Sequence, residues 1–158
     1  MRTPDVAPIT VQQKPRDDEI DVYGLSHPGL VRAGNEDHFL LASIHKRVQV
    51  LQTNLAETER LPLEDERLAF FAMVADGVGG ADAGEQASAI TLEVATHYMA
   101  RSTDCYYRDD GTGEQFINVL QDAAMKSHEA VQRMARENGD GRTMATTLTL
   151  WMGVWPWF

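Results

Sequence analysis

The stretch Leu68–Gly80 reads LAFFAMVADGVGG. Leu68 to Ala75 is continuously apolar, with Phe70, Phe71 and Val74 among its members. An apolar run of that length, bounded by turn-forming residues, reads as a central β-strand buried on both faces. The run delivers one carboxylate, Asp76, into a piece of backbone rich in glycine: Gly77, Gly79 and Gly80. A carboxylate at a strand tip followed by glycine suits a hard cation. The aspartate offers oxygen ligands, and glycine lets a backbone carbonyl approach without a Cβ in the way. The same residues would equally serve a plain strand-to-helix turn, where Asp and Gly are common. A phosphate-cradling loop is excluded, because it needs Lys and then Ser or Thr after the glycines, and here Ala81-Asp82 follows.

Downstream, the period changes from strand to helix. Ala83, Ala87, Ile90, Val94 and Tyr98 recur at three- and four-residue steps and predict one helix face. A polar loop, STDCYYRDDGTG, leads to a second helix, with Thr112 and Gln115 as its capping box. The stripe of that helix is Phe116, Leu120, Ala123, Ala124, Ser127, Val131 and Met134, and Asn138-Gly139 with Gly141 ends it. In the final segment Leu148, Leu150, Met152 and Val154 alternate with Thr147, Thr149 and Trp151, which predicts a strand with two unlike faces. Trp155-Pro156-Trp157 reads as a turn. An apolar end just after such a turn reads as a sheet cut before completion, because it leaves an unpaired apolar edge. The alternative is a natural C-terminus tucked into the core.

Upstream, residues 1–19 are polar and carry Pro4, Pro8 and Pro15, so they read as a flexible leader to a domain spanning 20–158. A strand is predicted from Asp21 through DVYGLSH, then a turn at Pro28-Gly29, then a second strand from Asp37 to Ile44. A short strand is expected at Val48 to Gln52.

The totals narrow the function classes. With 24 acidic against 14 basic residues the formal net charge is −10. That balance disfavours nucleic acid and anionic membrane surfaces, both of which demand Lys and Arg, and suits a protein that collects divalent cations. At 158 residues with 43% hydrophobic content, one domain with a sizeable core is expected. Cys105 is the only cysteine, so no intramolecular disulfide and no cysteine-based zinc site can form. No stretch is apolar over the length of a membrane span, and the N-terminus lacks a signal core; a cytoplasmic protein is expected. His27, His38, His45, His97 and His128 show no paired metal-binding spacing. Trp151, Trp155 and Trp157 lack the basic groove of a base-stacking platform.

A second chemistry-bearing segment is GLVRAGNEDHF, residues 29–39. Glu36 and Asp37 are neighbours, and neighbours on a strand point to opposite faces. One can therefore face an ion while the other holds a water or a supporting partner. Arg32 carries a planar fork suited to two oxygens of a phosphate. A solvated turn with an arginine–carboxylate surface pair explains the same residues.

Three segments in order carry a resemblance: GLSHPGLVRAGNEDHF, then FFAMVADGVGGADAGEQASAI, then GRTMATTLTL. Together they resemble the early motifs of the metal-dependent protein phosphatases, the type 2C serine/threonine family, over residues 21–158. The resemblance implies an α+β fold: a four-layer α-β-β-α sandwich of two stacked, mainly antiparallel sheets flanked by helices, here truncated before completion. It implies two Mn²⁺ or Mg²⁺ ions bridged by Asp76, with the Gly77 carbonyl as a ligand and with Asp37 and Glu36 bound directly or through water. Arg32 would hold the substrate phosphate. Thr143 and Thr146 would pack beneath the site. Such a pair of cations lowers the pKa of a shared water and offsets charge on the phosphoryl oxygens, so no protein nucleophile is required. Phosphorylated proteins would be the substrates, and the complete protein a monomer.

The chain departs from the family pattern at two places. Val78 stands where many members carry histidine, and valine has no proton to give a leaving group. The family's later metal-binding aspartates and its Gly-Asp-Ser-Arg segment have no counterpart in these residues, and Asp104, Asp109, Asp110, Asp122 and Asp140 come too early to replace them. Half of a binuclear site, weak metal binding and little turnover are therefore expected. A non-catalytic regulatory or phosphopeptide-binding domain is the alternative, and a fragment without independent function is a third reading.

Overall fold

The computed structural model describes residues 13–30, 34–54, 61–79, 82–106, 113–138 and 143–156. Strand β1 (Asp37–Lys46) pairs antiparallel with the long strand β2 (Glu66–Gly79) from Asp37 opposite Asp76 to Lys46 opposite Glu66. The register slips between Ile44 and His45, which leaves Leu68 as an extra residue in β2. A bulge of this kind turns two successive residues toward one side, and Leu68 and Ala69 are both buried. On its other edge β2 pairs with β3 (Met144–Thr146) and β4 (Thr149–Gly153), again antiparallel. Gly77 faces Thr146 and Val74 faces Thr149, so β3 and β4 continue one another in a single register. The fold is thus α+β, with one four-stranded antiparallel sheet among the described residues and β2 at its centre.

Helices α1 (Ala83–Arg101) and α2 (Glu114–Asn138) form an antiparallel hairpin: Ser127 bonds to the Thr91 carbonyl and Tyr98 to Asp122. The core lies between α1 and the face of the sheet that carries Ala69, Phe71, Met73, Ala75 and Met152. The buried side of α1 is Ala83, Ala87, Thr91, Leu92, Ala95 and Met99, whereas Ile90, Val94 and Tyr98, expected at its centre, flank it half-buried. Small residues win the inner positions because α1 packs against both β2 and α2. On α2 Ala123, Ser127 and Val131 are buried as expected, and Ala124 is exposed.

Three strand expectations need correction. Central strand β2 is not buried on both faces. Phe71, Met73 and Ala75 face the core, while Val74, Asp76 and Val78 are exposed, because no second layer covers that side among the described residues. Residues 21–28 form no strand: Val22, Tyr23 and Leu25 are exposed, and Gly24 packs on the Phe39 ring. Residues 48–52 form none either. The alternation across 147–154 holds, with Met152 buried and Trp151 exposed. Within the segment read as a leader, Lys14 bonds to the Arg67 carbonyl, and Arg67 reaches Asp17 and, at 2.6 Å, the Pro15 carbonyl. Thr112, Gly139 and Gly141 lie outside the described residues. Among the described residues, no helix is long and apolar enough to cross a membrane.

Candidate functional site

Asp37 begins β1, and Asp76 lies near the end of β2 directly opposite it. Opposed residues of an antiparallel pair share a face, so both carboxylates lie on the open side of the sheet, and both are exposed. Like charges directly opposed across a ladder repel and destabilise it. Neither carboxylate takes a hydrogen bond or an ion pair from a described side chain; only the Asp37 backbone N–H is engaged nearby, donating to Asn35 Oδ1 at 3.1 Å. Two hard oxygen donors held together without a protein cation suit a divalent ion such as Mg²⁺ or Mn²⁺.

Glu36 turns the other way. Its carboxylate lies against Gly84 in the first turn of α1, where the helix terminus favours negative charge. Its carbonyl accepts the Gly77 N–H at 3.2 Å and the Ser88 hydroxyl at 2.6 Å. The neighbours Glu36 and Asp37 therefore take opposite faces, and only Asp37 stands beside Asp76. Among the described residues, no three His, Cys, Asp or Glu side chains converge. Arg32 lies outside the described residues.

Gly77 is buried, and its backbone meets α1 closely. A Cβ there would collide with the Gly84 carbonyl oxygen and lie 2.7 Å from that of Glu36. The glycine is thus needed for helix–strand approach, whatever its carbonyl binds. Val78 is exposed on the same side as Asp76.

Two supports escaped the sequence reading. Ser88, fully buried on α1, lies 2.8 Å from His38 Nδ1. A hydroxyl has one hydrogen, and the short bond to the Glu36 carbonyl uses it, so the network assigns the proton on His38 to Nδ1. His38 thus faces the helix, and α1 is tied to the backbone that carries Asp37. The other support is Thr147, whose N–H donates to the Asp76 carbonyl at 2.9 Å and whose Oγ1 accepts the Asp76 N–H at 3.2 Å. Thr146 Oγ1 lies 3.0 Å from the same carbonyl. The only sequence signal for these was their place: Ser88 one turn beyond Gly84, and Thr147 beside Thr146. Thr143, expected beneath the site, is exposed, and its carbonyl lies near Gly79.

A groove of about 350 Å³ runs between α2 and the β3 edge, lined by Thr91, Ser127, His128, Gln132 and Thr146 among others. It lies on the helix side of the sheet, away from the open face that carries the two aspartates. Comparison with known proteins adds no assignment: no family model matches the chain, and no curated protein matches it.

Proposed function

We propose that the chain is the N-terminal part of a metal-dependent serine/threonine protein phosphatase. The facing pair Asp37 and Asp76 carries this reading, together with the three ordered motifs around it. Asp76 and Asp37 would hold two Mn²⁺ or Mg²⁺ ions with the Gly77 carbonyl beside them, while Glu36, turned toward α1, would support the backbone that carries Asp37. Arg32 would hold and orient the phosphate of a phosphoserine or phosphothreonine protein. When bound, the ions supply Lewis acidity that makes water a nucleophile near neutral pH and neutralises phosphoryl charge. Thr146, Thr147 and Ser88 hold the backbones of the two acidic segments in place.

The described sheet is, on this reading, one of two in a four-layer α-β-β-α sandwich. Its support is the open face, where Phe39 (41% exposed), Val74 (51%), Val78 (57%) and Trp151 (46%) gather beside the two aspartates. A second sheet stacked there would bury them and leave the complete protein a monomer. Hydrolysis by these residues alone would be slow, because among the described residues only Asp37 and Asp76 stand together. Cys105, the only cysteine, is buried, which fits a reducing, cytoplasmic setting.

The turn of Glu36 toward α1 favours one second reading, a phosphopeptide-binding domain that does no chemistry. A Mn²⁺ titration followed by the electron paramagnetic resonance of the free ion separates the two. The phosphatase reading expects uptake by the wild type, loss in Asp76→Asn and Asp37→Asn, and slow Mn²⁺-dependent release of phosphate from a phosphothreonine peptide. Equal uptake by wild type and Asp76→Asn would overturn it. Metal-independent capture of the peptide without release of phosphate would establish the second reading instead.

A further inference from the structure

In a hydrogen-bonded antiparallel pair the two residues exchange two backbone N–H···O=C bonds. Asp76 and Thr147 occupy such a position in the register shared by β3 and β4, yet they exchange only one. The Thr147 N–H donates to the Asp76 carbonyl at 2.9 Å. The returning bond from the Asp76 N–H ends on the Thr147 side chain, Oγ1, at 3.2 Å. The Thr147 carbonyl, left out of the ladder, lies 2.9 Å from Thr146 Oγ1. A hydroxyl thus takes one ladder bond at the residue of β2 that lies opposite Asp37, and β3 stops and β4 restarts on either side of it.

We propose that Thr147 is a positioning residue for Asp76: its hydroxyl stands in for a ladder carbonyl, sets the tilt of the Asp76 peptide and so aims the carboxylate toward Asp37. This rests on the proposed metal-binding role of that pair. A hydroxyl oxygen at Cβ lies off the line of the backbone carbonyls, so a bond to it rotates the Asp76 peptide away from regular pleat. Without the hydroxyl, the Asp76 N–H can turn back to the Thr147 carbonyl, as in an ordinary ladder. The strand would then be regular and the carboxylate misaimed. Removal of the hydroxyl therefore harms the site and spares the fold, the reverse of what a merely structural hydrogen bond would do.

The test compares Thr147→Val and Thr147→Ser with wild type and Asp76→Asn in two measurements: Mn²⁺ affinity by electron paramagnetic resonance, and the urea midpoint without metal. Thr147 is exposed, so valine adds no buried bulk. The expected result is about 10-fold weaker Mn²⁺ binding in Thr147→Val, the low end of what loss of an outer partner does to metal affinity. Thr147→Ser should restore wild-type affinity, and the urea midpoint of Thr147→Val should be unchanged or higher. Wild-type affinity in Thr147→Val, or equal weakening in Thr147→Val and Thr147→Ser, overturns the positioning role while the metal site stands. Equal binding by wild type and Asp76→Asn removes the metal site itself, and the positioning role with it.

Discussion

Gly77 is held by two neighbours at once, the Gly84 carbonyl on α1 and the Glu36 carbonyl at the start of β1. Neither can withdraw without moving a whole element, so Gly77→Ala should lose about 1–3 kcal/mol through overpacking. A urea unfolding curve measures this; an unchanged midpoint would mean that α1 can slide away from β2. Tyr106 gives a pH-dependent case. Burial raises its phenol pKa above the ordinary value, and its hydroxyl donates to the Met99 carbonyl at 2.9 Å. The folded chain thus keeps the proton at a pH where the unfolded chain, titrating near pH ~10, has lost it. This contribution to stability is fully present below that pH and falls away above it. Urea midpoints should drop between neutral and strongly alkaline pH, and Tyr106→Phe should flatten the drop while losing about 1 kcal/mol at neutral pH.

At the scale of elements, Ser88 joins α1 to the start of β1 through the Glu36 carbonyl and His38. Ser88→Ala would remove both bonds, leaving half-buried His38 without its partner on the helix while the Glu36 carbonyl keeps the Gly77 N–H. We expect about 1 kcal/mol of lost stability, the ordinary worth of such a hydrogen bond, read from a thermal or urea transition. Existence and type of the long elements were legible in the sequence. The apolar run at Leu68–Ala75 and the two helical stripes lie where the strand and helices stand. Their faces were less legible. Ile90 and Val94 are bulkier than Ala87 and Ala95, yet the smaller pair is buried, because close approach of α1 to both β2 and α2 outweighs the hydrophobicity of single side chains. The strand expected over residues 21–27 is absent because Val22, Tyr23 and Leu25 stay exposed and the segment pairs with no described strand.

For the whole molecule, the decisive feature is the contrast between the two sides of the sheet. One is closed by α1. The other shows Phe39, Val74, Val78 and Trp151, with Trp151 tilted against Phe70 at a ring separation of 6.0 Å. An apolar patch of this kind marks an association surface, opposed here by the net charge of −10. Sedimentation velocity should therefore show concentration-dependent association that grows as salt screens the repulsion. The double variant Val74→Thr, Trp151→Thr should suppress it; unchanged association in that variant would place the sticky surface elsewhere.

The sequence by itself determined the order of strand and helix, the central place of β2 and the acidic identity of the residue at its tip, because periodicity and residue chemistry are local properties. It also pointed Glu36 and Asp37 toward opposite faces, as neighbours along an extended backbone do. Only the tertiary structure decided which of the two meets Asp76, which side of the sheet α1 closes, and that the Thr147 hydroxyl replaces a ladder carbonyl. Those outcomes depend on strand register and helix approach, which are set by contacts between residues up to 71 positions apart.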